Sequence, residues 1–165
     1  MADKTIAERL QPSLLDRLTD DAPSDLKETR DARVIDLRQL REILQRDLAW
    51  LLNTANAQAL IDPDTYPQAA NSVLNYGISD VSGTYSTEQR AELIRKSIRN
   101  AVETFEPRIH AGSLDVGLRV GGNLNASVID FDIRADMWAQ PLPIELYLRS
   151  QVDVTTGEVE LERVA

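Results

Sequence analysis

STEQRAELIRKSIRNAVETFEPRIHAGSLDVGLRVGGNLNASVIDFDIRADM, residues 86–137, is the stretch whose reading decides the fold. In its first half Ala91, Ile94, Ile98, Ala101, Val102 and Phe105 recur at steps of three and four. That spacing stacks them on one face of a 3.6-residue period and predicts an amphipathic helix whose apolar face needs a sheet to cover. Ser86 is placed to cap its start, with Gln89 three residues on reaching back. Pro107 forbids continuation, because it lacks an N–H and its ring restricts the residue before it. After this hinge, Glu106-Pro107-Arg108, the period changes to two. Leu114, Val116, Leu118 and Val120 alternate with Asp115, Gly117 and Arg119, and Ile129, Phe131, Ile133 and Ala135 alternate with Asp130, Asp132, Arg134 and Asp136. Two half-buried antiparallel strands joined through Gly121-Gly122-Asn123 satisfy that pattern.

Upstream, from about Ala32 to Asn53, Leu37, Leu40, Leu44, Leu48 and Leu51 form an apolar stripe. Asp36, Arg38, Arg41, Glu42 and Arg46 take the other side, which predicts a long helix packed on the core and stopping near Asn53. Trp50 lies off the stripe. A second core contact is the favoured reading for it, a partner-facing anchor the other. Residues 55–87 carry Pro63, Pro67, Gly77 and Gly83 and read as a long ordered connector, with a short turn or strand at Ser72–Tyr76. Downstream, Ile144, Leu146, Leu148, Val152 and Val154 share a strand face, Thr156-Gly157 turns the chain, and Val159 and Leu161 return on a last strand. Helices on one side of an antiparallel sheet of about four strands define an α+β domain. Its expected extent is 32–165. Residues 1–31, broken by Pro12, Pro23 and a polar run, form a peripheral segment with one short helix around Leu14, Leu15 and Leu18, which either folds back or docks on a neighbour.

Four short runs stand in order along this frame: Arg46-Asp47-Leu48-Ala49-Trp50-Leu51-Leu52-Asn53-Thr54, Tyr66-Pro67, Ser72-Val73-Leu74-Asn75-Tyr76-Gly77, and Phe105-Glu106-Pro107-Arg108. Together they resemble the TssE family of type VI secretion baseplate subunits, relatives of a phage tail baseplate wedge protein once labelled a lysozyme. The resemblance runs from Pro12 onward. It implies a structural subunit with partners of the TssF, TssG and TssK type and a sheet that serves as platform for contractile sheath subunits. It also implies that Glu106, Pro107 and Arg108 engage the helical bundle tying wedges together, and it favours docking for Leu14, Leu15 and Leu18.

Composition agrees with a protein-binding role. In 165 residues, 42% hydrophobic content suits one domain, and only 5% is aromatic, so the core is aliphatic. There is no cysteine, which excludes disulfides and thiolate chemistry and fits a reducing compartment. The start has no signal-peptide pattern and no run approaches a membrane span, so a cytoplasmic protein without membrane insertion is expected. A net charge of −9 argues against nucleic acid and anionic lipid as partners.

No cofactor, metal or catalytic residue is expected. A lysozyme-type hydrolase needs two carboxylates of unlike environment flanking a cleft. Glu106 is the tempting acid, but Arg108 two residues on projects to the same side of an extended segment, and an ion pair, internal or to a partner, accounts for both. If exposed, that pair contributes about 1 kcal/mol or less. His110 stands alone, and Asp130, Asp132, Arg134 and Asp136 read as a solvated strand face and not as a calcium loop. A cell-wall hydrolase and a small regulatory binding domain remain the rival classes. For sheath attachment the free sheet edge matters. Two strands alternate charge with apolar residues as managed edges do: the last, at Glu158 and Glu160, and the one carrying Asp130 and Asp132.

Overall fold

Asp36, in extended conformation, accepts the Gln39 N–H at 2.7 Å while the Gln39 side chain takes the Asp36 N–H at 3.0 Å. This reciprocal cap starts the first long helix, α2 (Leu37–Leu52), at the first leucine of the stripe and later than the expected start near Ala32, and moves Asp36 from the helix's polar side to its cap. The computed structural model describes residues 12–20, 22–24, 35–79, 87–119, 127–138 and 143–163. The cap expected at Ser86 and the turn at Gly121-Gly122-Asn123 lie outside them. A short helix, α1 (Leu14–Leu18), precedes α2; α3 (Pro67–Ala70) and a 3₁₀ turn (Val73–Asn75) follow, then α4 (Thr87–Phe105).

The sheet is a meander of β1 (Asp115–Leu118), β2 (Val128–Met137), β3 (Ile144–Asp153) and β4 (Val159–Arg163), all antiparallel in that order. This α+β arrangement is the one the periodicities predict. The core lies between the helices and one face of the sheet. Leu40, Leu44, Leu48, Leu51 and Leu52 of α2 and Ala91, Ile94, Ile98, Ala101 and Val102 of α4 are buried. They meet Ile129, Phe131, Ile133, Ala135 and Met137 of β2 and Leu146, Leu148 and Val152 of β3. Burying a Leu, Ile or Phe side chain contributes about 1.5–3 kcal/mol, so this aliphatic contact is the main stabilising term.

Three expectations are corrected. Trp50 is 51% exposed and is not a core residue. It lies one turn beyond Arg46, whose guanidinium covers its ring at 4.8 Å, so the indole is shielded without being buried. Leu118 ends β1 and is largely exposed, which cuts the first strand's core face to Leu114 and Val116. The strand carrying Asp130 and Asp132 is not an edge: Asp132 is flanked by Gly117 of β1 and Arg149 of β3. Charge alternation marks a strand with one wet face, and both inner and outer strands of a one-sided sheet have that.

The connector after α2 closes at its neck. Ile78 N–H donates to Thr54 O at 2.9 Å and Asn56 N–H to Ile78 O at 3.0 Å. Gly77 makes the closure possible with φ of 115°, and a Cβ there would lie 2.1 Å from Thr54 O. Beyond the neck Leu60, Tyr66, Val73 and Leu74 are exposed. No helix among the described residues is long and apolar enough to cross a membrane.

Candidate functional site

The corner after α4 is built by its own three residues. Glu106 N–H still donates to Val102 O at 3.0 Å, and Pro107, exposed, then turns the chain out of the helix. Arg108 O accepts the Trp138 N–H at 2.7 Å and His110 N–H donates to Asp136 O at 2.8 Å, which stitches the corner to the end of β2. Glu106 is 6% exposed. Arg108 donates to it through Nε (2.7 Å) and Nη2 (2.6 Å), and the Arg108 N–H adds a bond at 3.1 Å. The expected ion pair is present, but it is buried and internal, because the carboxylate turns back under the corner and away from solvent.

The pair is one end of a longer chain. Arg108 Nη2 also donates to Asp47 Oδ2 at 2.7 Å, Arg46 donates to Asp47 Oδ1 through Nε (3.0 Å) and Nη2 (2.7 Å), and Arg46 Nη1 reaches Asp16 Oδ1 at 2.6 Å. Charges alternate along Glu106, Arg108, Asp47, Arg46 and Asp16, so each is neutralised by its neighbours. Burial opposes the Arg108 charge, but the hydrogen bonds and charges of Glu106 and Asp47 outweigh it, and its pKa is raised. Arg46 hydrogen-bonded to Asp16 holds that carboxyl below its ordinary range against burial, helped by Ser13. Burial pushes the Tyr76 phenol up, with the Asp47 and Glu106 charges adding to it, and its ring meets Phe105 edge-on at 5.3 Å. Asp47, Arg46 and Asp16 were not among the candidate residues read from the sequence, since nothing in local spacing links positions 16, 47 and 106.

The chain's far end carries α1. Asp16 faces the body, and at 100° per residue Leu14 and Leu18 fall on the opposite side. They are 72% and 74% exposed, with Leu15 between at 47%. The amino-terminal helix therefore folds back through a charge while its leucines stay in solvent. At the other end of the sheet Glu158 and Glu160 are exposed, and with Asp153 they line an open hollow of about 310 Å³ beside Val128, Gln151 and Val159. Their main chain faces β3, and Asp153 N–H donates to Glu158 O at 2.9 Å. Along the outer strand Asn53 accepts the Val159 N–H and donates to Val159 O, both at 2.8 Å, and Gln45 donates to Leu161 O at 2.9 Å. Among the described residues no cluster of His, Asp and Glu could hold a metal ion.

A family model described as baseplate wedge protein gp25 matches residues 38–142, from the first turn of α2 through the corner and β2. The chain belongs to that family. The match takes in Arg46, Asp47, Glu106, Pro107 and Arg108, so the centre of the charge chain is part of the gp25-family region, while Asp16, α1, Glu158 and Glu160 lie outside it. Membership makes the protein a structural component of a baseplate, which assembles with other baseplate proteins. Comparison with curated proteins and with solved structures found no match.

Proposed function

We propose that this gp25-family protein is the wedge subunit of a type VI secretion baseplate, in the cytoplasm at the inner membrane, linking subunits of the TssF, TssG and TssK type and supplying the platform on which the contractile sheath begins. The observation that carries the reading is the wedge-family match over residues 38–142. The surface is consistent with it. Leu14, Leu15 and Leu18 offer an apolar docking strip held on the body by Asp16. Pro107 caps a corner whose Glu106 and Arg108 are fixed by internal bonds, which presents a rigid shape to a helical partner. Glu158 and Glu160, with Asp153, suit a basic segment.

The protein works in this reading without catalysis. Both oxygens of Glu106 are held by Arg108, and Asp47 is shared between two arginines, so these carboxylates do not flank a cleft open to a sugar chain. Co-purification decides the matter: the tagged chain should retain TssF-, TssG- and TssK-type subunits when co-expressed with them, and the purified chain should leave a peptidoglycan zymogram uncleared. A cleared zone lost on Glu106→Gln, with no subunit retained, would establish the hydrolase instead.

A further inference from the structure

The helices cover one face of the sheet, and the other face is polar. Register sets its rows. Gly117, Asp132, Arg149 and Glu162 lie side by side, and Asp130, Gln151 and Glu160 form the next row with Arg119, whose N–H donates to Asp130 O at 3.0 Å. Beyond that row, where β3 turns into β4, Asp153 and Glu158 follow. Carboxylates dominate this half of the face. No ion pair joins Asp130, Asp132, Asp153, Glu158, Glu160 or Glu162 to a cation among the described residues. Asp132 stands opposite Arg149, yet Asp132 Oδ1 and Arg149 Nε are both covered and without a hydrogen bond, as is Asp130 Oδ1. Like charges close together on a sheet destabilise it, so folding gains nothing from this row of acids.

The same end of the face is concave. The open hollow of about 310 Å³ is lined by Asp153, Glu158 and Glu160 together with Val128 and Gln151. Asp153 Oδ1 is fixed there by the Thr155 and Thr156 N–H groups, at 2.7 and 3.3 Å, while Glu158 and Glu160 are exposed. A half-buried valine beside several carboxylates matches a long basic side chain, whose stem is apolar and whose head donates to carboxylates. We propose that this end of the outer sheet face docks a basic segment of a neighbouring protein chain, with a Lys or Arg stem laid on Val128 and its head against Glu158 and Glu160. The inference rests on the wedge-subunit reading for the source of that segment, and adds the surface and the chemistry of one contact. Charge complementarity selects the occupant. The chain carries a net charge of −9, so a second copy is repelled from this face, as are nucleic acid and anionic lipid. The segment lies across side chains of the face and takes no part in the main-chain ladder.

Glu158→Lys combined with Glu160→Lys reverses the charge at the hollow, and Glu42→Lys combined with Glu88→Lys makes the same change of net charge at exposed positions of α2 and α4. The β4 pair should lower the affinity for co-expressed wedge subunits, or the extent of sheath growth, at least about tenfold, and the helix pair no more than about twofold. The isolated β4 variant should melt no lower than the wild type, because it relieves repulsion; a clearly lower melting point would make these acids part of the fold and overturn the proposal. Wedge retention and sheath growth at wild-type extent in the β4 variant overturn it too, as does an equal loss in the helix variant, which would reflect net charge alone. A direct probe uses the unaltered chain: a synthetic peptide of alternating Arg and Ala should shift the NMR signals of the Val128, Asp153 and Glu160 amides, and one of alternating Glu and Ala should not. Absence of those shifts at millimolar peptide overturns the proposal. A wild-type chain that retains no wedge subunit overturns the wedge reading, whereas Arg-peptide shifts at the hollow would then still uphold the face as a site for a basic segment.

Discussion

Arg108 Nη2 donates to Asp47 Oδ2 at 2.7 Å across 61 positions of chain, which locks the corner after α4 to the middle of α2. The bond belongs to an arrangement in which Glu106 is almost wholly buried and has Arg108 as its counter-ion. Corner and helix are thus one rigid unit.

Arg108→Ala should therefore destabilise the isolated protein by about 3 kcal/mol, because a buried carboxylate left without its partner costs more than the pair contributes. Asp47→Ala, which leaves the Glu106 pair intact, should cost about 1 kcal/mol. Urea unfolding followed by circular dichroism gives both values. A loss under about 1 kcal/mol for Arg108→Ala would mean that the pair behaves as an exposed one.

The amino-terminal helix should be separable from the fold. Leu14 and Leu18 lie in solvent, so Leu14→Ala and Leu18→Ala should each shift stability by no more than about 0.5 kcal/mol. Among the described residues of this segment, Asp16 holds it to the body through Arg46, and deleting Met1 to Asp20 should cost about 1 kcal/mol or less, with the helix and sheet signal retained. Wedge retention should nevertheless drop in all three. An unstable truncated domain would show that these leucines are covered in solution.

Acid should release that helix. The folded Asp16 pKa is depressed from 3.8, chiefly by the Arg46 hydrogen bond. A depressed carboxylate contributes stability that is present above its unfolded pKa and lost as pH falls through the folded one. Docking of α1 should thus be constant down to about pH 3.8 and weaken below it. Arg46→Ala should abolish this step. Hydrogen exchange or proteolysis of residues 12–20 against pH follows it directly, and an unchanged profile in Arg46→Ala would refute the assignment.

The connector hangs on its neck. Gly77→Ala places a methyl against Thr54 O in a backbone conformation that alanine avoids, so it should cost more than about 1 kcal/mol and expose residues 55–78 to proteolysis. Gly112→Ala is the control: its φ is also positive, at 82°, but no atom lies within 4 Å of an added Cβ. A larger loss at Gly112 than at Gly77 would contradict this account of the neck.

Much of the fold is a local property and was legible in the residues themselves. The face of α4 from Ala91 to Val102, the buried alternation Ile129, Phe131, Ile133 and Ala135, the turn at Gly157 and the break at Pro107 each depend on neighbours within a few positions. Periodicity says which face is buried, and proline and glycine say where the chain turns. The Glu106–Arg108 pair was legible for the same reason, being two residues apart. What tertiary structure alone decided is whatever joins distant positions. Order of pairing put Asp132 inside the sheet and left Val116 and Leu118 at its edge, since strand alternation is the same for inner and outer strands. Packing of α2 against the corner brought Asp47 to Arg108, and folding back of α1 brought Asp16 to Arg46. The same packing left Trp50 outside under a guanidinium and brought Asn53 and Gln45 onto the main chain of β4. The bonds that join Asp16, Asp47, Asn53 and Gln45 to their partners span from 30 to 116 positions, and a charged or amide residue carries no local sign of the partner it will meet.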